Sequence, residues 1–230
     1  MGTNGEGCDV NMSLVMAIAN KNGIVVSGDR RLTIQKTYHG ETEFTNTYYN
    51  DRTQKIYISE RGHVFGIAGC AISIDGRYIP DILPNIIREL DKESLTLKEE
   101  LVIIQNELRY NIVNPASILC AGIENGENII FRTSTGIENS EIISKTDGVY
   151  GGDAIGMYTT ALNIIKESGI HTYDLSLSEL VDFMQSVNST TAKSIKKIKS
   201  VSEKCDVVAI TPEYGAKWVL EDRSRIYELK

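Results

Sequence analysis

The chain has 230 residues, 41% of them hydrophobic, enough for one substantial core, and nothing in that length calls for a second domain. Its 24 Lys and Arg stand against 31 Asp and Glu, a net charge of -7 that argues against nucleic acid or an anionic membrane surface as the main partner. Cys8, Cys70, Cys120 and Cys205 lie far apart with no C-x-x-C spacing, which speaks against a zinc knuckle or a small disulfide framework and for a reducing, cytoplasmic setting. The segment before Ser13 has neither the basic start nor the apolar centre of a secretory signal, and no apolar run approaches membrane-spanning length.

In chain order, Leu14 to Ile18 form a short apolar run that stops at Asn20-Lys21-Asn22-Gly23, and Ile24 to Val26 form another. The pair reads as a hairpin whose strands are apolar on both faces, as a sheet covered on both sides requires. From about residue 33 to 54 the chain is rich in Thr, Tyr, Asn and charge; it reads as a surface insertion with a hairpin turning at His39-Gly40. A second apolar hairpin runs from Ile56 to Ser59 and from His63 to Ala68. A helix is predicted from about Ile79 to Leu90, starting after Pro80 and carrying Pro84 in its first turn. Thr96 and Glu99 form a capping box that opens a helix buried through Leu97, Leu101, Ile104 and Leu108.

A hairpin at Asn125-Gly126 follows. Ile155, Tyr158, Leu162 and Ile165 recur at helical spacing up to Gly169, and Gly151-Gly152, which lacks the pattern of a phosphate loop, reads as the cap of that helix. Ser176 and Glu179 box another helix through Leu180, Val181, Met184 and Val187, and the lysines from Lys193 to Lys204 read as its solvated face. A last hairpin turns at Pro212 to Gly215. Strands and helices come in pairs, which disfavours the strict alternation of a doubly wound sheet and favours an α+β layering.

The first hairpin, Ser13-Leu14-Val15-Met16-Ala17-Ile18 through Asn22-Gly23-Ile24-Val25-Val26 to Gly28-Asp29-Arg30-Arg31, resembles the opening of proteasome β-subunits. In that family of N-terminal-nucleophile hydrolases, which includes the bacterial HslV-type peptidases, a threonine or serine freed as the new N-terminus is the nucleophile. An aspartate lies sixteen positions later, as Asp29 does from Ser13. Gln54-Lys55-Ile56-Tyr57-Ile58 and Gly66-Ile67-Ala68-Gly69 resemble the catalytic lysine strand and its glycine turn, and Cys205 to Thr211 resembles the late strand.

The resemblance implies an α+β fold, a four-layer αββα sandwich in one domain over 13–230, with 1–12 as a propeptide or N-terminal extension. It implies peptide-bond hydrolysis by Ser13, tuned by Lys55 and Asp29, with the Gly69 N–H donating to the oxyanion. It implies no cofactor, a ring of identical subunits, peptide or unfolded protein as substrate, and an ATP-dependent unfoldase as partner. The family's Gly-Ser-Gly-like stretch matches Val149-Tyr150-Gly151-Gly152-Asp153, and the segment of its later aspartate matches 194–202, where Ser200 and Ser202 stand but no acid does.

The residue types suit the chemistry. A serine hydroxyl needs a base within hydrogen-bond reach, and an α-amine of pKa about 8 on the same residue can serve. A buried Lys-Asp pair can tune both groups, and a backbone N–H aimed at the oxyanion contributes roughly 10²–10³ in rate. Each residue also has a plainer reading: Ser13 as a strand start, Asp29 with Arg30 as an ion pair closing the hairpin, Lys55 as a solvated lysine, Gly69 as a turn. Cys8, after Gly7, is an alternative processed nucleophile. His39, His63 and His171 are too scattered for a metal site. Catalysis requires cleavage of Met12–Ser13; an uncleaved chain would be a proteasome-like scaffold that assembles without hydrolysing.

Overall fold

A computed structural model describes residues 13–38, 44–69, 73–112, 115–136, 141–195, 200–221 and 224–225, and among these the chain forms four helices and three antiparallel sheets. β1 (Leu14–Asn20) and β2 (Gly23–Asp29) make the first hairpin, β3 (Leu32–Tyr38) and β4 (Phe44–Asn50) the second, β5 (Ile56–Ile58) and β6 (Val64–Gly69) the third. Helices α1 (Ile79–Leu90) and α2 (Leu97–Asn111) precede β7 (Ala116–Glu124), β8 (Glu127–Ser134), β9 (Ile143–Ser144) and β10 (Gly151–Gly156). Then come α3 (Tyr158–Ser168), α4 (Leu177–Ser194), β11 (Cys205–Thr211), β12 (Gly215–Glu221) and β13 (Ser224–Arg225). One sheet has the order β10-β1-β2-β11-β12-β13, another β5-β6-β7-β8-β9, and β3-β4 stand as a pair.

Because successive side chains of a strand point to opposite faces, an all-apolar strand serves two cores at once. In β1, Leu14, Met16 and Ile18 join Leu180, Val181, Met184 and Val187 of α4 in one cluster. Val15, Ala17 and Ala19 of the same strand join Ile56, Val64, Leu119, Ala121 and Ile130 of the five-stranded sheet in a second cluster. The other face of that sheet, through Tyr57, Phe65, Ile67, Ile118 and Cys120, packs on α1 and α2. Cys120, fully buried there, has its thiol pKa pushed up by desolvation, which makes it a packing residue rather than a nucleophile.

Both capping boxes form, with the Thr96 and Ser176 side chains accepting from Glu99 N–H and Glu179 N–H. Several sequence expectations change. Ile155 lies in β10, not in the following helix, and Gly151-Gly152 opens that strand instead of capping α3, pairing with Ala19 and Ile18. α1 begins at Ile79, so Pro80 sits inside its first turn and Pro84 beyond it. α4 ends at Ser194, so Lys204 belongs to the approach to β11 and not to a helix face. The polar stretch after Arg31 forms the β3-β4 hairpin; its expected turn at His39-Gly40 lies outside the described residues, as do Cys8, Met12, Cys70 and the 1–12 extension. Among the described residues no helix is long and apolar enough to cross a membrane.

Candidate functional site

Ser13 precedes β1 and is largely buried, at 9% exposure. Its carbonyl accepts the Met157 N–H at 2.7 Å, where β10 passes into α3. That approach demands glycine at 156: φ is +80°, and a Cβ there would lie 1.8 Å from the Ser13 oxygen. The residue abutting Ser13 from this strand is therefore Gly156-Met157, later in the chain than the stretch matched on sequence, and it too carries no serine.

β2 runs antiparallel to β1 and ends at Asp29, which has no exposed surface. Its Oδ1 accepts the Leu14 N–H at 2.7 Å and the Lys55 ammonium at 2.7 Å. Its Oδ2 accepts the backbone N–H groups of Arg31 at 2.8 Å and Ser202 at 3.1 Å. A buried carboxylate is tolerable when its lone pairs are met in this way, and backbone donors favour the anion.

Lys55 reaches this position because its carbonyl accepts the Ile67 N–H at 3.0 Å, pinning it to β6, and because β2 is bare at Gly28. A Cβ on Gly28 would come within 3.0 Å of Ile56 Cγ2 and 3.5 Å of Lys55 Cβ. Lys55 is 4% exposed; burial pushes its pKa below the ordinary lysine range, opposed by the attraction of Asp29. The reading of Lys55 as a solvated lysine is thereby overturned.

The structure thus joins Asp29 to Lys55 and sets the pair against the N–H of Leu14, the residue after Ser13. Gly69 ends β6, one residue beyond Ala68, whose Cβ lies 3.2 Å from the Cβ position of Gly156. Arg30, expected to pair with Asp29, instead donates to Asp206 at 2.7 Å across to β11. A cavity of about 530 Å3 opens along Gln54 and Tyr57, on either side of Lys55 in the chain, and is walled by Leu32, Thr53, Tyr78 and Pro84.

Sequence reasoning missed Ser202 as a partner of Asp29, Asp206 as the partner of Arg30, and the pair Arg31–Asp51. Each is a contact between residues remote in the chain or on an unmatched hairpin, which spacing does not reveal. Among the described residues no His, Cys, Asp and Glu are grouped to hold a metal ion. His63 pairs with Glu100 and His171 lies against Tyr173, while His39 is outside the described residues.

Chemically, the arrangement places a lysine and an aspartate, both withheld from water, against the backbone N–H of the residue that follows a serine. It is a charge-compensated pair able to favour or disfavour a proton on a neighbouring group. Compared with known proteins, the sequence matches no family model and no curated relative.

Proposed function

We propose that this chain is an N-terminal-nucleophile peptidase of the proteasome β-subunit kind, a four-layer αββα sandwich in which Ser13, once freed by cleavage after Met12, attacks peptide bonds. The observation that carries this reading is the shared oxygen of Asp29, which receives the backbone N–H next to Ser13 and the Lys55 ammonium at the same distance, 2.7 Å.

In the proposed reaction the new α-amine takes the proton of the Ser13 hydroxyl, and the oxygen bonds to the substrate carbonyl carbon. Lys55, held by Asp29, stabilises the charge that develops beside it, and the Gly69 N–H donates to the oxyanion. Collapse of the tetrahedral adduct expels the substrate amine with that proton, leaving an ester that water hydrolyses. The cavity walled by Leu32, Tyr57 and Tyr78 takes part of the substrate. The chemistry needs no cofactor; assembly into a ring, unfolded protein as substrate, and delivery by an ATP-driven unfoldase belong to the same reading.

Intact mass of the purified protein and hydrolysis of fluorogenic peptides test it. Loss of residues 1–12 is expected in the wild type, and Ser13→Ala is expected to abolish both cleavage and hydrolysis while assembly persists. Hydrolysis that survives in Ser13→Ala removes Ser13 from the mechanism.

One observation favours a second reading, an uncleaved proteasome-like scaffold: the stretch that resembles the family's serine-bearing one, Val149 to Asp153, holds no serine. A full-length mass after long incubation, with no hydrolysis, decides for the scaffold.

A further inference from the structure

The segment 194–202 offers no acid of its own, but Asp51, from another part of the chain, lines the same cleft as Ser202. Asp51 immediately follows β4, at the base of the polar hairpin. Its carboxylate grips Arg31 with two prongs, Nε to Oδ1 at 2.5 Å and Nη2 to Oδ2 at 2.6 Å. The pKa of Asp51 is held below the usual carboxylate range, chiefly by its hydrogen bonds with Arg31, and Ser202 and Lys204 line the same cleft.

Arg31 and Ser202 are the same residues whose backbone N–H groups hold Asp29 Oδ2, at 2.8 and 3.1 Å. One carboxylate therefore grips one outer support of Asp29 and shares a cleft with the other, while the inner oxygen of Asp29 serves Leu14 and Lys55. Planar, two-pronged Arg–carboxylate pairs fix orientation as well as charge. Arg31 also lies over the Tyr49 ring, 5.3 Å from its centroid, which adds a second restraint from the hairpin.

We infer that Asp51 is a positioning residue for the Ser13 centre: through Arg31 it sets where Asp29, and with it Lys55, stands. The catalytic consequence rests on the peptidase reading; the geometry does not. A hairpin outside the matched segments thereby becomes part of the centre's support.

The charged groups that act on Lys55 are Asp29 and Asp51, which favour its charged form, and Arg31, which opposes it. The signs give a test that a merely structural role would not satisfy. Lys55 Nζ is followed by NMR titration in protein carrying ¹⁵N-labelled lysine, as wild type, Asp51→Asn, Arg31→Gln and the double variant. Asp51→Asn leaves the Arg31 charge uncompensated and is expected to move the Lys55 titration to lower pH. Arg31→Gln is expected to move it to higher pH, and the double variant to return it toward wild type. Identical Lys55 titrations in the two single variants and the wild type overturn the inference.

Where the wild type hydrolyses peptides, Asp51→Asn is expected to lower kcat by about a hundredfold with KM within about twofold, and Asp51→Glu to recover part of the loss. A wild type without hydrolysis defeats the peptidase reading, yet leaves the Lys55 titration to decide the role of Asp51.

Discussion

Two buried polar clusters stand at opposite ends of β6, and they are built differently. Near its C-terminal end, Asp29 is ringed by backbone donors and lends one oxygen to Lys55 beside Ser13. Just before its N-terminal end, His63 Nδ1 lies 2.6 Å from Glu100 Oε2, Arg61 stands 3.7 Å from the other oxygen, and Glu124 faces His63 Nε2 at 3.7 Å.

The second group also contains a serine, and its Ser59 Oγ accepts the backbone N–H of His63. Glu124 in turn accepts the Leu97 N–H at 2.6 Å, in the first turn of α2, where an anion is favoured by the helix dipole. One cluster thus fastens a helix to a sheet; the other aims a cation at the start of a strand. An acid, a base and a hydroxyl in proximity do not make a reaction centre unless the hydroxyl faces the base.

Removing one member of the Asp29–Lys55 pair leaves a buried charge without its partner, which costs about 3–5 kcal/mol, and removing Glu100 takes the buried hydrogen-bond partner of His63, which costs about 1–3 kcal/mol. Asp29→Ala, Lys55→Ala and Glu100→Ala are expected to show losses of these orders in chemical denaturation. On the peptidase reading proposed above they should then separate in function: below their unfolding midpoints, Lys55→Ala should lower peptide hydrolysis by at least about a hundredfold, while Glu100→Ala should retain it. Hydrolysis abolished in folded Glu100→Ala would erase the distinction between the two ends.

Glycine sharpens the same contrast. At Gly156 an added methyl meets the Ser13 carbonyl at 1.8 Å with φ at +80°, whereas at Gly126, in the β7-β8 turn, φ is +81° and nothing lies within 4 Å. Gly126→Ala carries only the backbone strain, about 1 kcal/mol, while Gly156→Ala adds a clash and should cost about 3 kcal/mol. Thermal unfolding of both variants gives the comparison, and equal losses would mean that β10 can retreat from Ser13.

Much of the framework was readable before any coordinates. The Asn22-Gly23 and Asn125-Gly126 turns, the two capping boxes and the continuous apolar runs placed hairpins and helices, because these signals are local. The frame around Asp29 and Lys55 singled out two residues that the structure pairs, beside the residue that follows Ser13.

β10 was not readable. Gly151 and Gly152 are poor strand formers, yet β10 needs them because a Cβ at 151 would lie 2.0 Å from the Lys145 carbonyl oxygen and one at 152 would lie 2.8 Å from that of Ala17. Close approach of backbones outweighed propensity there. Nor could spacing show that Arg30 would choose Asp206 over its neighbour Asp29: the side chains of adjacent strand residues point apart, and Asp206 arrives from β11, 176 residues away.

The smallest expected effect concerns acid. Asp51 has a folded-state pKa below its ordinary 3.8, first through its hydrogen bonds with Arg31. The folded protein therefore holds this carboxylate ionised more readily than the unfolded chain does. Its contribution is fully present above the unfolded value and is lost as pH falls through the folded one. With side-chain exposures of 34% for Asp51 and 16% for Arg31, solvent screening limits the effect to about 1 kcal/mol.

Urea midpoints measured from pH 6 down to pH 2 should therefore converge for the wild type and Asp51→Asn at the acid end and diverge above about pH 4, with the variant the less stable. Salt should narrow the gap, as it does for partly exposed pairs. Curves that stay parallel across the whole range would mean that Asp51 contributes its shape and not its charge, and the link from the hairpin to Asp29 would then be one of packing alone.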